Sequence, residues 1–236
     1  MGLACYLHCP NFISANSVCR LAMICGVDEA GRGPVMGPLV ICGISIDKDD
    51  LLRKLGVKDS KKLSRTQRED LSEKIARVAN GIEIVEITAS EIDILREEMT
   101  LNKLEAKVFA SIIKKLAPHT AYVDAADVDE ERFASDIIQE LDSPIEIISR
   151  HKADDTYPVV SAASILAKVR RDEQVRKIEQ EIGEPIGSGY TSDPNTIRFL
   201  ESWLDRYDEL PPHTRKSWDT SNRLLSMKAV KKLDLY

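Results

Sequence analysis

The chain has 236 residues, a formal net charge of −6, 43% hydrophobic and 31% charged side chains. This is the composition of an ordinary soluble protein, and a polymer of this length builds its core without disulfide staples. No apolar run approaches the roughly 18 residues a membrane span needs, and the acidic total weighs mildly against nucleic acid as a partner unless basic residues cluster locally.

Residues 1–22 stand apart. MGLACYLHCPNFISANSVCRLA lacks the basic start and continuous apolar middle of a signal peptide. Tyr6 stands where a myristoylation signal requires Ser or Thr. Met23 directly precedes the first strand, so this leader is expected to carry no catalytic part. Cys5, Cys9 and Cys19 fall within it, and with His8 they lack the second paired half of a zinc finger. Cys25 and Cys42 sit in strand-like runs and read as buried thiols of a reducing cytoplasm.

The next elements alternate strand and helix. Ile24–Glu29 and Val35–Ile46 are apolar runs split by Gly31-Arg32-Gly33-Pro34, which predicts a hairpin. Ser64 with Gln67 three residues later is a capping box, opening a helix that runs to about Ala79. Gly81 breaks the chain before the strand Ile82–Thr88. Thr100 caps a helix in which Leu101, Leu104, Val108, Ile112 and Leu116 recur at helical spacing, and Pro118 ends it. A short strand over Ala121–Asp127, a helix around Glu130–Leu141 and a last strand over Pro144–Arg150 follow.

After Tyr157 the pattern is helical, with breaks at Gly183–Gly189 and Pro211-Pro212. Pro158 suits a first helical turn, and Asp193-Pro194 is a cap followed by proline at the first helical position. The order reads as α/β, a sheet flanked by helices with a helical layer after it. The expected division is a leader over residues 1–22, a sheet-based domain over 23–182 and a helical region over 183–236.

Three places set an acid at the end of an apolar strand or beside a tight turn: Asp28-Glu29, Asp124 in YVDAAD, and Asp154 in HKADDTYPVVSAASILAKVRRD. Anions gathered at a sheet rim repel one another, and burial raises their pKa values further. A cation relieves both costs. Oxygen donors without paired His or Cys favour a hard ion, Mg²⁺ or Mn²⁺. Four carboxylates and two divalent ions balance in charge, as in a two-metal phosphodiester site.

DEAGRGPVMGPLV, DSKKLS, YVDAAD, KADDTYPVVSAASILAKVRRD and GSGYTSDP occur in the order found in ribonuclease HII, the type 2 ribonuclease H, and the chain resembles that family from Met23 to about Arg223. RKSWDTSNRLL resembles its archaeal branch. The resemblance implies a ribonuclease H-like fold with a central mixed five-stranded sheet and a C-terminal helical region. It implies Asp28, Glu29, Asp124 and Asp154 as catalytic, metal-holding acids, with Asp155 the competing choice for the fourth. It further implies two ions, one activating water for in-line attack and one stabilising the leaving 3′-oxygen. The products would be a 3′-hydroxyl and a 5′-phosphate on the ribonucleotide side.

Substrate selection has its own residues. Gly31-Arg32-Gly33 lets backbone groups approach a sugar with no Cβ in the way, and the 2′-hydroxyl is what separates RNA from DNA. Tyr190 in GSGYTSDP corresponds to the family position that packs on the sugar of the deoxynucleotide following the ribonucleotide. Lys61 and Lys62 lie before a helix N-terminus, a natural phosphate position. Arg32 and the basic end of the chain are further candidates for phosphate contact: residues 211–236 carry Arg215, Lys216, Arg223, Lys228, Lys231 and Lys232 against only Asp219 and Asp234.

The expected activity is a monomeric, metal-dependent endonuclease cutting 5′ to ribonucleotides in RNA/DNA hybrids and in duplex DNA. The alternatives are an ATP-dependent phosphotransferase of the actin-like fold and a non-catalytic hybrid-binding module. VKKLDLY, Val230–Tyr236, distantly resembles a sliding-clamp-binding tail through Leu233 and Tyr236, but a plain helix end is the better reading.

Overall fold

The computed structural model describes residues 23–57 and 63–233, the side chains of 231–233 excepted. The expected hairpin is present as β1 (Ile24–Ala30) and β2 (Leu39–Ile46), antiparallel with Val27 opposite Gly43. With β3 (Gly81–Ile87), β4 (Thr120–Asp124) and β5 (Glu146–Arg150) these form one five-stranded sheet in the order β3-β2-β1-β4-β5. The β1–β4 and β4–β5 pairs are parallel, so the sheet is mixed.

Helices cover both faces, which is why all eight residues of β2 are buried. Val40, Cys42 and Ile44 face one layer, formed by α2 (Arg65–Val78) and the long α7 (Pro158–Ile182). Leu39 and Ile41 face the other, formed by α4 (Leu101–Leu116) and α5 (Glu130–Glu140), where Phe109 and Phe133 meet edge to face at 5.3 Å. Burying a side chain of this size is worth about 2 kcal/mol, so dozens of them clamp the strands and leave their ends as fixed platforms. Helix α7 comes closest at Gly26, where a Cβ would lie 2.3 Å from the Val159 carbonyl carbon.

The remaining helices are α1 (Asp50–Leu55), α3 (Ala89–Glu98), the single turn α6 (Ala153–Thr156), α8 (Pro194–Tyr207) and α9 (Asp219–Leu233). Val35 and Met36, Val175 and Ile178 of α7, Phe199, Leu200 and Leu204 of α8 and Leu224 of α9 share a third apolar cluster. The C-terminal helices thus pack on the far end of α7 and on the segment joining β1 to β2.

Several expectations are met residue by residue. The Ser64–Gln67 capping box, the Thr100 cap, Pro158 at the start of α7 and the Asp193 cap all stand where the sequence put them. Others need correction. Strand β2 begins at Leu39 rather than Val35, because Met36 bridges Thr214 and the Gly37 N–H donates to His213 O at 2.9 Å. Gly81 is the first residue of β3, not a break before it, and Thr88 leaves the strand to cap α3 in a box with Glu91. Cys25 and Cys42 are buried free thiols, and burial pushes both thiol pKa values up. Among the described residues no helix is long and apolar enough to cross a membrane.

Candidate active site

Side chains alternate across a strand, so neighbours in sequence face opposite layers. This explains how β1 carries two adjacent acids. Asp28 shares the face of Ala30 and meets Ser164 and Lys168 of α7; Glu29 shares the face of Val27 and meets Glu105 of α4. Asp28 is 4% exposed, and its Oδ1 accepts the Glu29 N–H at 2.7 Å. Ser164 makes a side-chain hydrogen bond to Asp28, and Lys168 Nζ donates to Ser164 Oγ at 2.6 Å.

Asp124 ends β4. That strand runs parallel to β1 with Val27 opposite Val123, so Asp28 and Asp124 leave neighbouring strands at the same edge. Open α/β sheets bind ligands at such carboxyl ends. Asp124 Oδ1 accepts the Ala153 N–H at 2.9 Å, which places the turn after β5, and with it Asp154, beside the group. Asp154 is 5% exposed, but it opens with Asp155 onto a separate cleft of about 180 Å³ against Val57 and Ser161.

Crowding dominates the electrostatics. Burial, then Glu29 and Asp124, push the Asp28 carboxyl well above the usual range. Burial, then Glu105 and Asp124, push Glu29 up to about 8, and its Oε2 is buried without a hydrogen-bond partner. Glu105 itself is fully buried and pushed up to about 7 by burial, against the pull of Arg32 at 3.3 Å. The structure therefore brings Asp28, Glu29 and Asp124 into electrostatic reach of one another and ties the backbone just before Asp154 to Asp124. Among the described residues no three acids, histidines or cysteines are closed to metal-holding spacing. Their chemistry nonetheless fits a hard divalent ion: oxygen donors only, one of them orphaned, with excess negative charge to neutralise.

Beside these acids lies a cleft of about 350 Å³ lined by Glu29, Gly31, Gly33, Lys168, Arg171 and Tyr190. Gly31 has φ +85°, and a Cβ there would lie 2.5 Å from Pro38 O, so the turn admits no other residue at that position. Tyr190 is 36% exposed, with the Arg171 guanidinium 4.8 Å from its ring centroid. Arg171 also donates to Ser188 O, holding the loop that carries the tyrosine.

Two basic residues do other work than the sequence suggests. Arg32 turns inward: it donates to Ala126 O and Asn102 Oδ1, both at 2.6 Å, and pairs with Glu105. A phosphate would compete with all three partners. Arg215 is no part of an exposed basic surface; it is 0% exposed and donates to Arg32 O at 2.8 Å, to Gly37 O and to Gly31 O. Burial, then Arg171, lower its pKa to about 10, so it remains a cation at neutral pH. Lys61 and Lys62 lie outside the described residues, as does the leader.

The model of the ribonuclease HII family matches residues 25–221. The chain belongs to that family. The ribonuclease HII of Methanoregula boonei is 48% identical over 211 residues, covering 89% of this chain and 98% of its own. The ribonuclease H2 of Pyrococcus horikoshii OT3 superposes with a TM-score of 0.81 at 44% identity, covering 87% of this chain and 98% of its own. The ribonuclease HII of Archaeoglobus fulgidus, solved in a PCNA:RNase HII complex, superposes with a TM-score of 0.79 at 40% identity, covering 84% and 95%. The fold is therefore ribonuclease H-like and the chain a ribonuclease H, which sets aside the actin-like phosphotransferase and the idle binding module.

Within this family member, sequence reasoning passed over Ser164, Lys168, Arg171 and Glu105, and took Arg215 only as part of a basic phosphate-facing end. A signal for four of them was present. Ser164, Lys168 and Arg171 recur at i, i+4 and i+7, one face of a helix, and Glu105 shares the stripe of Leu101, Val108 and Ile112. Arg215 carries no such local signal.

Proposed function

We propose that the chain hydrolyses the phosphodiester bond 5′ to a ribonucleotide, both in RNA/DNA hybrids and at single ribonucleotides embedded in duplex DNA, leaving a 3′-hydroxyl and a 5′-phosphate. The observation that carries this reading is the crowding of Asp28, Glu29 and Asp124 at the carboxyl ends of two parallel strands, with Asp124 raising the pKa of both others and Glu29 that of Asp28. A bound cation favours the ionised form of such a set.

Asp28, Glu29, Asp124 and Asp154 would hold two ions, Mg²⁺ or Mn²⁺. When bound, these supply an acidified water and charge stabilisation at the leaving oxygen. The protein's own part is placement. Lys168 steadies Asp28 through Ser164. Gly31, Arg32 and Gly33 present backbone groups to the 2′-hydroxyl, and Tyr190 packs on the next sugar. Lys61, Lys62 and the helical region 183–236 contact the phosphate backbone. A sliding clamp is the proposed protein partner, supported by the Archaeoglobus fulgidus complex. Helix α9 runs to Leu233, and Tyr236 lies outside the described residues.

The test is cleavage of a duplex with one embedded ribonucleotide, mapped to the nucleotide while the divalent ion is titrated. A cut 5′ to the ribonucleotide, lost on chelation, is expected. A folded sample that leaves the duplex intact with magnesium or manganese overturns the reading.

A further inference from the structure

We propose that Arg215 is the positioning residue of the Gly31–Gly33 turn, acting on the choice of ribose over deoxyribose through the backbone and touching no phosphate. This rests on the reading of that turn as the part that meets the 2′-hydroxyl.

A guanidinium presents five donors in a rigid fork. That of Arg215 is fully buried and spends its donors on backbone carbonyls of the turn: Gly31 O, Arg32 O at 2.8 Å and Gly37 O at 3.1 and 3.0 Å. Trp218 lies 4.8 Å from the guanidinium and extends the same hold, its Nε1 donating to Gly33 O at 3.4 Å. Burying a cation costs free energy that an apolar side chain of similar volume would not. What the guanidinium adds is therefore its donors and their directions.

Those directions have a consequence. Every described peptide bond is trans, and in a trans peptide the N–H points opposite to the C=O. Pinning the carbonyls of Gly31 and Arg32 toward Arg215 turns the N–H groups of Arg32 and Gly33 to the other side, free to meet a sugar oxygen. The anchor is itself fixed, because the Arg215 N–H donates to Val35 O at 2.8 Å and Met36 bridges Thr214. Lysine at 215 would keep the charge but, as a point cation, could not serve three divergent carbonyls at once.

The experiment compares wild type with Arg215→Lys, Arg215→Gln, Trp218→Phe and Gly33→Ala. Each is measured for kcat/KM on the single-ribonucleotide duplex, for binding preference over the all-deoxy duplex, and for the salt slope of binding. Trp218→Phe removes the hydrogen bond to Gly33 O while keeping an aromatic ring against the Arg215 guanidinium, and it keeps the test alive should Arg215→Lys fail to fold. Gly33→Ala probes the turn directly, since its new methyl would meet nothing within 4 Å but Tyr190 Cε1, at 3.9 Å. For Arg215→Lys the expected loss in kcat/KM is about 100-fold, the scale of an ångström's misplacement, with a reduced ribose preference and an unchanged salt slope. Trp218→Phe should show a smaller loss of the same kind.

A slope lowered by about 0.9 in Arg215→Gln, which removes the charge that lysine keeps, would make the residue a phosphate contact and overturn the proposal. If Gly33→Ala loses ribose preference while folded Arg215→Lys and Trp218→Phe keep it, the turn remains the reader and the role of Arg215 is rejected. If Gly33→Ala keeps full preference, the turn is not the reader, and the underlying reading fails with it.

Discussion

The Ala153 backbone N–H donates to Asp124 Oδ1 at 2.9 Å, tying the end of β4 to the turn that follows β5. One carboxylate thus has two jobs, accepting that bond and adding charge to the group around Asp28 and Glu29. Asp124→Asn separates them, since an amide oxygen still accepts. Turnover on the single-ribonucleotide duplex should fall by at least about 10²–10³-fold, while the melting temperature without divalent ions holds or rises because a repulsion is gone. Near-normal turnover in this variant would remove Asp124 from the reaction.

Glu29 makes stability pH-dependent in the chelated protein. Its folded-state pKa is about 8 against an ordinary 4.5, so the folded state binds the extra proton between those values. Its contribution is fully present below about pH 4.5 and is lost as pH rises through about 8. Urea midpoints of the chelated protein should therefore fall between pH 5 and pH 8, less steeply in Glu29→Gln. Saturating magnesium should flatten the wild-type curve. Identical slopes for wild type and Glu29→Gln would show that the carboxyl is not held protonated.

Tyr190 shares its cleft with Glu29 and rests against Arg171 at 4.8 Å. On a single embedded ribonucleotide the sugar after the ribose is a deoxyribose, on which the ring can pack; in a long hybrid the sugar at that place is another ribose. Tyr190→Ala should lose more activity on that duplex than on a long RNA/DNA hybrid, read as the ratio of the two kcat/KM values. An unchanged ratio would deny the ring any part in junction recognition.

Gly26 is the contact point of the sheet and α7, with backbone rather than a yielding side chain 2.3 Å from where a Cβ would stand. Gly26→Ala must push the helix away and with it Ser164 and Lys168. A destabilisation of about 3 kcal/mol is expected, the upper part of the range for overpacked cores. Chemical denaturation checks it, and a loss below about 1 kcal/mol would mean the helix can shift cheaply.

The fold is legible in the sequence wherever neighbouring residues decide the outcome. Ser64 with Gln67, Thr100 and Asp193-Pro194 mark their helices because caps are local chemistry. Thr88 and Glu91 form an equally good box, overlooked because the strand's apolar alternation runs up to it. Val35 and Met36 look like strand because they are apolar, yet their partners lie almost 180 residues away at Thr214 and Arg215. The acids of the site stand out as carboxylates in apolar strands. That Asp28 and Glu29 answer to different helices follows only from the two-sided burial of the sheet.

The hydrogen bond from Arg215 to Gly31 spans 184 positions of the chain. A ribosome emits all four acids long before it emits the residue that secures the turn beside them. Products ending ahead of residue 215 would carry Asp28, Glu29, Asp124 and Asp154 without the guanidinium that holds the Gly31–Gly33 turn. The turn between β1 and β2 and the residue that secures it are therefore made far apart in time during synthesis.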